Sequence, residues 1–144
     1  MIKYSIRRAA ASDATELLKL NLEFNKIETP IGHIVSSLSR IDNPETIFVA
    51  YSESGLMGFA CLQITQSFCY AKPNAQITEL FVQPLHRQKG IASQLIRAAE
   101  DFLQERNAEE LTVLTRKGNK PALAFYRKHD FKKEDELCMR KLIA

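Results

Sequence analysis

No apolar run in this sequence is long enough to cross a bilayer, and the opening segment, Met1 to Arg8, lacks the continuous apolar stretch of a secretory leader. The expectation is a cytoplasmic protein with no membrane partner. Cysteine is scarce. Cys61, Cys69 and Cys138 are odd in number and not closely paired, which argues against a disulfide framework. Neither Cys-x-x-Cys nor His-x-x-x-His spacing occurs, so no metal site is expected. A strong charge of one sign is also missing. Lys and Arg total 20 against 17 Asp and Glu, and the net +3 is too mild to imply a nucleic-acid partner. The dinucleotide fingerprint Gly-x-Gly-x-x-Gly and the P-loop pattern are both absent, which removes two common nucleotide-binding architectures. No internal repeat, low-complexity tract or linker interrupts the chain.

What remains is an ordinary balance for one folded domain spanning residues 1–144, with 45% hydrophobic and 26% charged residues. The positive charge is local. His86, Arg87, Lys89 and Arg97 form one cluster, Arg116, Lys117 and Lys120 a second, and Arg127, Lys128, Lys132 and Lys133 a third. Most of these suit solvated helix ends and loops. Cys61 and Cys138 each stand in a strand-like run and read as small buried hydrophobes.

Pattern and punctuation predict a strand over Lys3–Arg8, then a helix opened by the capping-box spacing Asp13-Ala14-Thr15-Glu16. A weaker helix over Ile31–Ile41 ends at the breaker Asp42-Asn43-Pro44. Strands follow over Thr46–Tyr51, Leu56–Phe68 and Gln76–Val82. Gly90–Asn107 carries the clearest amphipathic stripe, with Ile91, Leu95, Ile96, Ala99 and Leu103 at helical period. A strand over Glu110–Thr115, a short helix over Pro121–His129 and a closing strand over Glu136–Ile143 complete the order β-α-α-β-β-β-α-β-α-β. That order predicts an α/β (α+β) fold, a mixed central sheet of about six to seven strands flanked by helices.

The junction after the Gln76–Val82 strand carries the chemistry. Arg87-Gln88-Lys89-Gly90-Ile91-Ala92 turns the chain into the strongest helix. Glycine at 90 permits a backbone conformation that a β-carbon penalises. The first amides of a helix lack intrahelical acceptors and its dipole makes that end positive, so a phosphate or pyrophosphate is the natural guest. Arg87 and Lys89 add full charges beside it. Standing alone, the same pattern also describes a plain loop-to-helix turn.

With its neighbours, the turn resembles that of the GNAT superfamily of N-acetyltransferases. The resemblance covers nearly the whole chain. It includes Arg7-Arg8-Ala9-Ala10 before Asp13, the strand end Glu79-Leu80-Phe81-Val82-Gln83-Pro84, the turn Arg87–Ala92, and Asn119-x-x-Ala-x-x-Phe125-Tyr126, followed by Asp130-Phe131. It implies an acetyl-CoA-dependent enzyme moving an acetyl group directly to a primary amine, with acetyl-CoA as co-substrate and no metal. In such enzymes the strand matching Gln76–Val82 carries a bulge and splays from its neighbour. Carried over, the backbones of Leu80, Phe81 and Val82 hold the pantetheine arm, and the amides of Arg87, Gln88, Lys89, Gly90, Ile91 and Ala92 hold the pyrophosphate. Asn119 contacts the cofactor or caps its helix.

An ammonium of lysine type has a reference pKa of about 10.4, so a base must take its proton. Glu79 is the candidate, acting through water, against the plainer reading of a structural strand carboxylate. Strict alternation places Glu79 with Ile77 and Phe81, and a bulge would change that. Glu23, Glu28 and His33 lie where substrate helices are expected and are alternatives for binding the amine. A backbone N–H near Val82 suits the oxyanion. Tyr126 matches the tyrosine that in such enzymes often protonates the leaving thiolate, against the plainer reading of a residue that packs and hydrogen-bonds near the sulfur.

Three departures stand out. Gln88 replaces a frequent glycine, Ala92 replaces another, and Asp130 replaces the glycine before Phe131. The acceptor is a small-molecule or peptide amine whose identity no motif fixes, and a homodimer is a frequent arrangement for such proteins. The alternative is a non-catalytic acyl-CoA-sensing module on the same fold.

Overall fold

The computed structural model describes residues 3–144; Met1 and Ile2, at the head of the opening segment, lie outside the described residues. The chain divides into two compact units, one running to Leu114 and the other from Thr115 to the end.

The first unit is built on a five-stranded sheet in sequence order. Strand β1 (Ser5–Arg8) leads through a short tight turn into helices α1 (Ala14–Asn25) and α2 (Ile31–Ser39). Strands β2 (Glu45–Ser52), β3 (Gly55–Thr65) and β4 (Asn74–Val82) follow as an antiparallel meander. Helix α3 (Ile91–Glu105) then crosses over to β5 (Glu110–Val113), which pairs parallel with β4. The mixed α/β architecture agrees with expectation, but the sheet has five strands among the described residues rather than six to seven.

Alternation along β2 separates two apolar layers. Ile47 and Val49 face α1 and α2, where Leu17, Leu20, Phe59, Cys61 and Phe81 form one cluster that Phe24, Ile34 and Leu38 pack against. Phe48 points the other way and meets Phe102 of α3 edge to face at 5.7 Å. On α3, Leu95 and Ile96 are fully buried, as the helical stripe predicts. Truncating either to alanine costs about 2–5 kcal/mol.

The capping box expected at Asp13 does not form, because other partners claim both of its acids. The Asp13 carboxylate accepts from the Ala10 N–H at 2.7 Å and from both terminal nitrogens of Arg7 at 2.7 and 2.9 Å. Glu16 instead accepts the Leu56 N–H at the β2–β3 turn, at 2.8 Å. Strand β3 stops at Thr65, short of Phe68, where Ser67 turns the chain by accepting the Cys69 N–H on its hydroxyl.

The second unit holds helix α4 (Lys120–Lys128). The Asn119 side chain caps it by accepting the Ala122 N–H at 3.3 Å. The helix ends with the His129 and Phe131 N–H groups both on the Tyr126 carbonyl, and Asp130 in the left-handed region at φ 67°. The expected strand over Glu136–Ile143 is not formed. Leu137, Met139, Leu142 and Ile143 are each more than four-fifths exposed. Strand propensity needs a neighbouring backbone to pair with, and α4, the one regular element of this unit, offers none. Cys138 lies in this segment and is exposed, which corrects its reading as buried; Cys61 is buried as expected.

Candidate active site

Strand β4 carries a bulge at Thr78. Ile77 pairs with Leu62 and Glu79 with Cys61, so two residues of β4 advance against one of β3. The extra residue changes which face each side chain takes. Ile77 stays with Leu62, fully buried, while Glu79 and Phe81 fall in line with Cys61 and Phe59 on the α1/α2 face. Without the bulge, Ile77 and Glu79 would share a face, and a carboxylate or an isoleucine would be misplaced.

The same strand runs on past its partner on the other side. Its parallel pairing with β5 ends at Ile77 and Val113. The Gln83 N–H donates to Met57 on the β3 side at 2.9 Å. Alternation then directs the main-chain groups of Phe81 toward β3 and those of Leu80 and Val82 away from it, along the unpaired edge. At the end of that edge the Arg87 guanidinium donates to the Val82 carbonyl at 2.9 Å and lies over the Phe81 ring. A β-carbon on Gly58, facing this stretch across the ladder, would stand 2.5 Å from the Phe81 carbonyl, so glycine is what lets β3 and β4 approach here.

The turn from Arg87 to Ala92 uses two left-handed residues, Gln88 at φ 65° and Gly90 at φ 80°. Gly90 is the residue before α3, and a β-carbon there would have room, with the Tyr4 hydroxyl 3.7 Å away. Its glycine is therefore demanded by the backbone angle and not by crowding. Gln88 adopts the same region with a side chain, at a cost of about 1–2 kcal/mol. The Arg87 N–H is spent on Pro84, and the Tyr4 hydroxyl donates to the Lys89 carbonyl at 3.4 Å. The amides that open α3, at Ile91 and Ala92, stand at its dipole-positive end.

Between the sheet and α1/α2 lies a pocket of about 240 Å³. Glu79, Glu45, Cys61, Phe59, Asn21 and His33 are among its lining residues, and no lysine or arginine is. Burial pushes the Glu45 carboxyl above its usual range, opposed by its hydrogen bond with the Cys61 thiol. Burial, with both glutamates nearby, pushes that thiol well above the usual range, which makes it a poor nucleophile. Of the three residues offered by the sequence for the amine, only His33 lines the pocket. Glu23 accepts from the Gln83 amide instead, and Glu28 is exposed in the α1–α2 connection. Glu45 was not anticipated. Counting back by two from Ile47 would have placed it on the pocket face, but the Pro44 breaker set the expected strand start one residue late.

In the second unit Tyr126 is half-buried, its ring set edge to face with Phe125 at 5.3 Å and with Phe131 at 5.4 Å. Burial raises its phenol above the ordinary value of about 10, so it stays protonated at neutral pH. Among the described residues no group of three His, Cys, Asp or Glu side chains is arranged to hold a metal ion, and no helix is long and apolar enough to cross a membrane.

Comparison with known proteins gives a consistent picture. The model of the acetyltransferase (GNAT) family matches residues 11–131. The chain is 27% identical over 135 residues to the uncharacterized N-acetyltransferase YhfO of Bacillus subtilis, covering 90% of this chain and 91% of that one. It is 27% identical over 137 residues to an N-alpha-acetyltransferase of Saccharolobus solfataricus, covering 90% and 81%. An aminoglycoside acetyltransferase from an uncultured soil metagenomic sample, solved in complex with sisomicin, superposes with a TM-score of 0.84 at 24% identity, covering 98% of this chain and 96% of that one, which speaks to the fold.

Proposed function

The chain belongs to the acetyltransferase (GNAT) family and is an N-acetyltransferase, and from that premise we propose that it moves an acetyl group from acetyl-CoA directly to a primary amine held beside Glu79. The observation that carries this reading is the bulge at Thr78. It turns the Glu79 carboxylate into the pocket while the strand that bears it leaves its outer edge unpaired toward the Arg87–Ala92 turn.

In this reading the pantetheine arm runs along β4. The main chain at Leu80 pairs with it, Val82 closes the edge with its N–H left for the thioester oxygen, and Phe81 supplies wall. The diphosphate sits on the amides of Gln88, Lys89, Gly90, Ile91 and Ala92, with Arg87 and Lys89 adding charge. Asn119 fixes the start of α4. Glu79 takes a proton from the amine through water. The amine nitrogen attacks the thioester carbonyl, with the Val82 N–H placed for the oxyanion. The C–S bond then breaks, and Tyr126 protonates the thiolate. A phenol held above its ordinary pKa donates uphill to a thiolate, so this role asks for close contact with the sulfur in the loaded enzyme. The chain works as one domain, inside the cell, on a small-molecule or peptide amine, with no metal, and it is compatible with a homodimer.

Free-thiol release from acetyl-CoA against a panel of primary amines tests this. Wild type releases thiol only with an acceptor present. Glu79→Gln lowers kcat/KM by about 100-fold while acetyl-CoA affinity stays within a factor of about two. Unchanged turnover in that variant, with chemistry rate-limiting, would remove Glu79 from the mechanism.

A further inference from the structure

A single amine accounts for one carboxylate in the pocket, yet two are there. Glu45 and Glu79 come from β2 and β4, on either side of Cys61 in β3, and all three line the same cavity. Neither glutamate has a lysine or arginine partner among the described residues, and the one basic group acting on Glu45 is the His33 imidazole. The ion pairs among the described residues are Arg7 with Asp13 and Arg40 with Asp42. The Glu45 carboxyl instead meets the Cys61 thiol, which carries no charge to offset it. His33 is the one basic side chain in the lining, and it sits exposed on α2. Withdrawing carboxylates from water without a counter-charge is costly. The chain as a whole is cationic, so the negative sign belongs to this pocket and not to the surface in general.

The spacing says what the two charges can hold. Two strand steps across the sheet and one two-residue step along it put the two glutamate α-carbons about 12 Å apart. The side chains reach inward and shorten that gap, leaving room between the carboxylates for a compact spacer. The walls beside them suit one, with Phe59, Leu17 and Ile34 apolar and Asn21 able to meet a hydroxyl or amide.

We propose that the acceptor is a small molecule bearing two cationic nitrogens, with the nitrogen to be acetylated at Glu79 and the second ammonium held by Glu45. Glu45 is then a specificity-determining residue. The proposal rests on the acetyl-transfer reading above and adds the substrate class to it. It excludes a plain monoamine, and an extended peptide N-terminus, as preferred acceptors.

The test compares three probes of equal chain length, a four-carbon diamine, the four-carbon monoamine and the four-carbon ω-amino acid, together with a short peptide with a free N-terminus. Binding to the protein loaded with CoA is measured by calorimetry, and turnover with acetyl-CoA by thiol release. The diamine is expected to bind at least tenfold more tightly than the monoamine, and the amino acid more weakly than either. Glu45→Gln, which keeps the shape and can still meet Cys61, is expected to collapse the diamine preference at least tenfold. The wild-type comparison alone decides the matter if that variant does not fold. Equal affinity for diamine and monoamine, a preference for the peptide, or no diamine binding overturns the proposal. Tight diamine binding without acetyl transfer would leave the ligand class standing and sink the enzymatic reading. Transfer to monoamine and peptide without diamine preference would do the reverse.

Discussion

At the scale of single residues, the two left-handed positions of the Arg87–Ala92 turn make opposite demands. Gly90 is glycine because φ 80° asks for it; Gln88 meets φ 65° despite its side chain. Gln88→Gly is therefore expected to raise stability by about 1 kcal/mol, while Gly90→Val lowers it and weakens acetyl-CoA binding more than tenfold. Urea melts with a parallel cofactor titration check both. The Arg7–Asp13 pair yields a pH prediction. The Arg7 guanidinium, and after it the Ala10 N–H, holds the Asp13 carboxyl below the usual range against the opposing effect of burial. A depressed folded pKa gives stability that is present above the unfolded value of about 3.9 and is lost as pH falls through the folded one. Asp13→Asn is expected to cost about 1–2 kcal/mol at neutral pH, the lower end reflecting the partly solvated Arg7. The difference should shrink as pH drops below about 4 in the same melts. A constant difference down to acid would mean the contact is not ionic.

At the scale of elements, the bulge in β4 is the feature on which the site turns. Ile77–Leu62 and Glu79–Cys61 are consecutive pairs once Thr78 is set aside. Deleting Thr78 leaves both side chains on their present faces and restores a regular ladder. The deletion is therefore expected to fold with a melting temperature near that of wild type and to bind acetyl-CoA at least tenfold more weakly, because losing a residue shifts the free edge of β4 relative to the Arg87–Ala92 turn. Calorimetry and a thermal melt distinguish this from simple misfolding; full affinity in a folded deletion would show that the bulge has no part in holding the arm. Sequence reasoning had the strand and the turn, and it named the question of which side Glu79 takes. The resemblance implied a bulge in this strand but not its position, since a bulge is a relation between two strands and leaves no mark of its own in Thr78.

At the scale of the whole molecule, what the sequence made legible is what local pattern controls. Helices α1 to α4 and strands β1 to β5 stand where periodicity, prolines and glycines put them, within a few residues. Asp13 and Glu16 read as a cap but serve Arg7 and Leu56; Glu136–Ile143 reads as a strand but has no partner in its unit; Glu45 reads as the edge of a breaker but enters the pocket. For Glu16 and the closing segment a contact distant in sequence, or its absence, decided the outcome; for Asp13 a nearby partner did, and for Glu45 the proline hid a strand start one residue earlier. The proposed donor side could be named from sequence because it depends on a contiguous turn. The pocket proposed for the acceptor draws on α1, α2, β2, β3 and β4 together, and only the folded chain assembles it. The central claim is that this assembly transfers acetyl groups and does not merely sense acyl-CoA. The most direct measurement is a single-turnover reaction of enzyme-bound acetyl-CoA with a four-carbon diamine, scoring free CoA thiol and N-acetylated product by mass spectrometry in the same sample. The account predicts one N-acetyl product for each thiol released, and loss of both in Glu79→Gln. Bound acetyl-CoA that persists intact with the diamine, and equally with a panel of other primary amines, would contradict it.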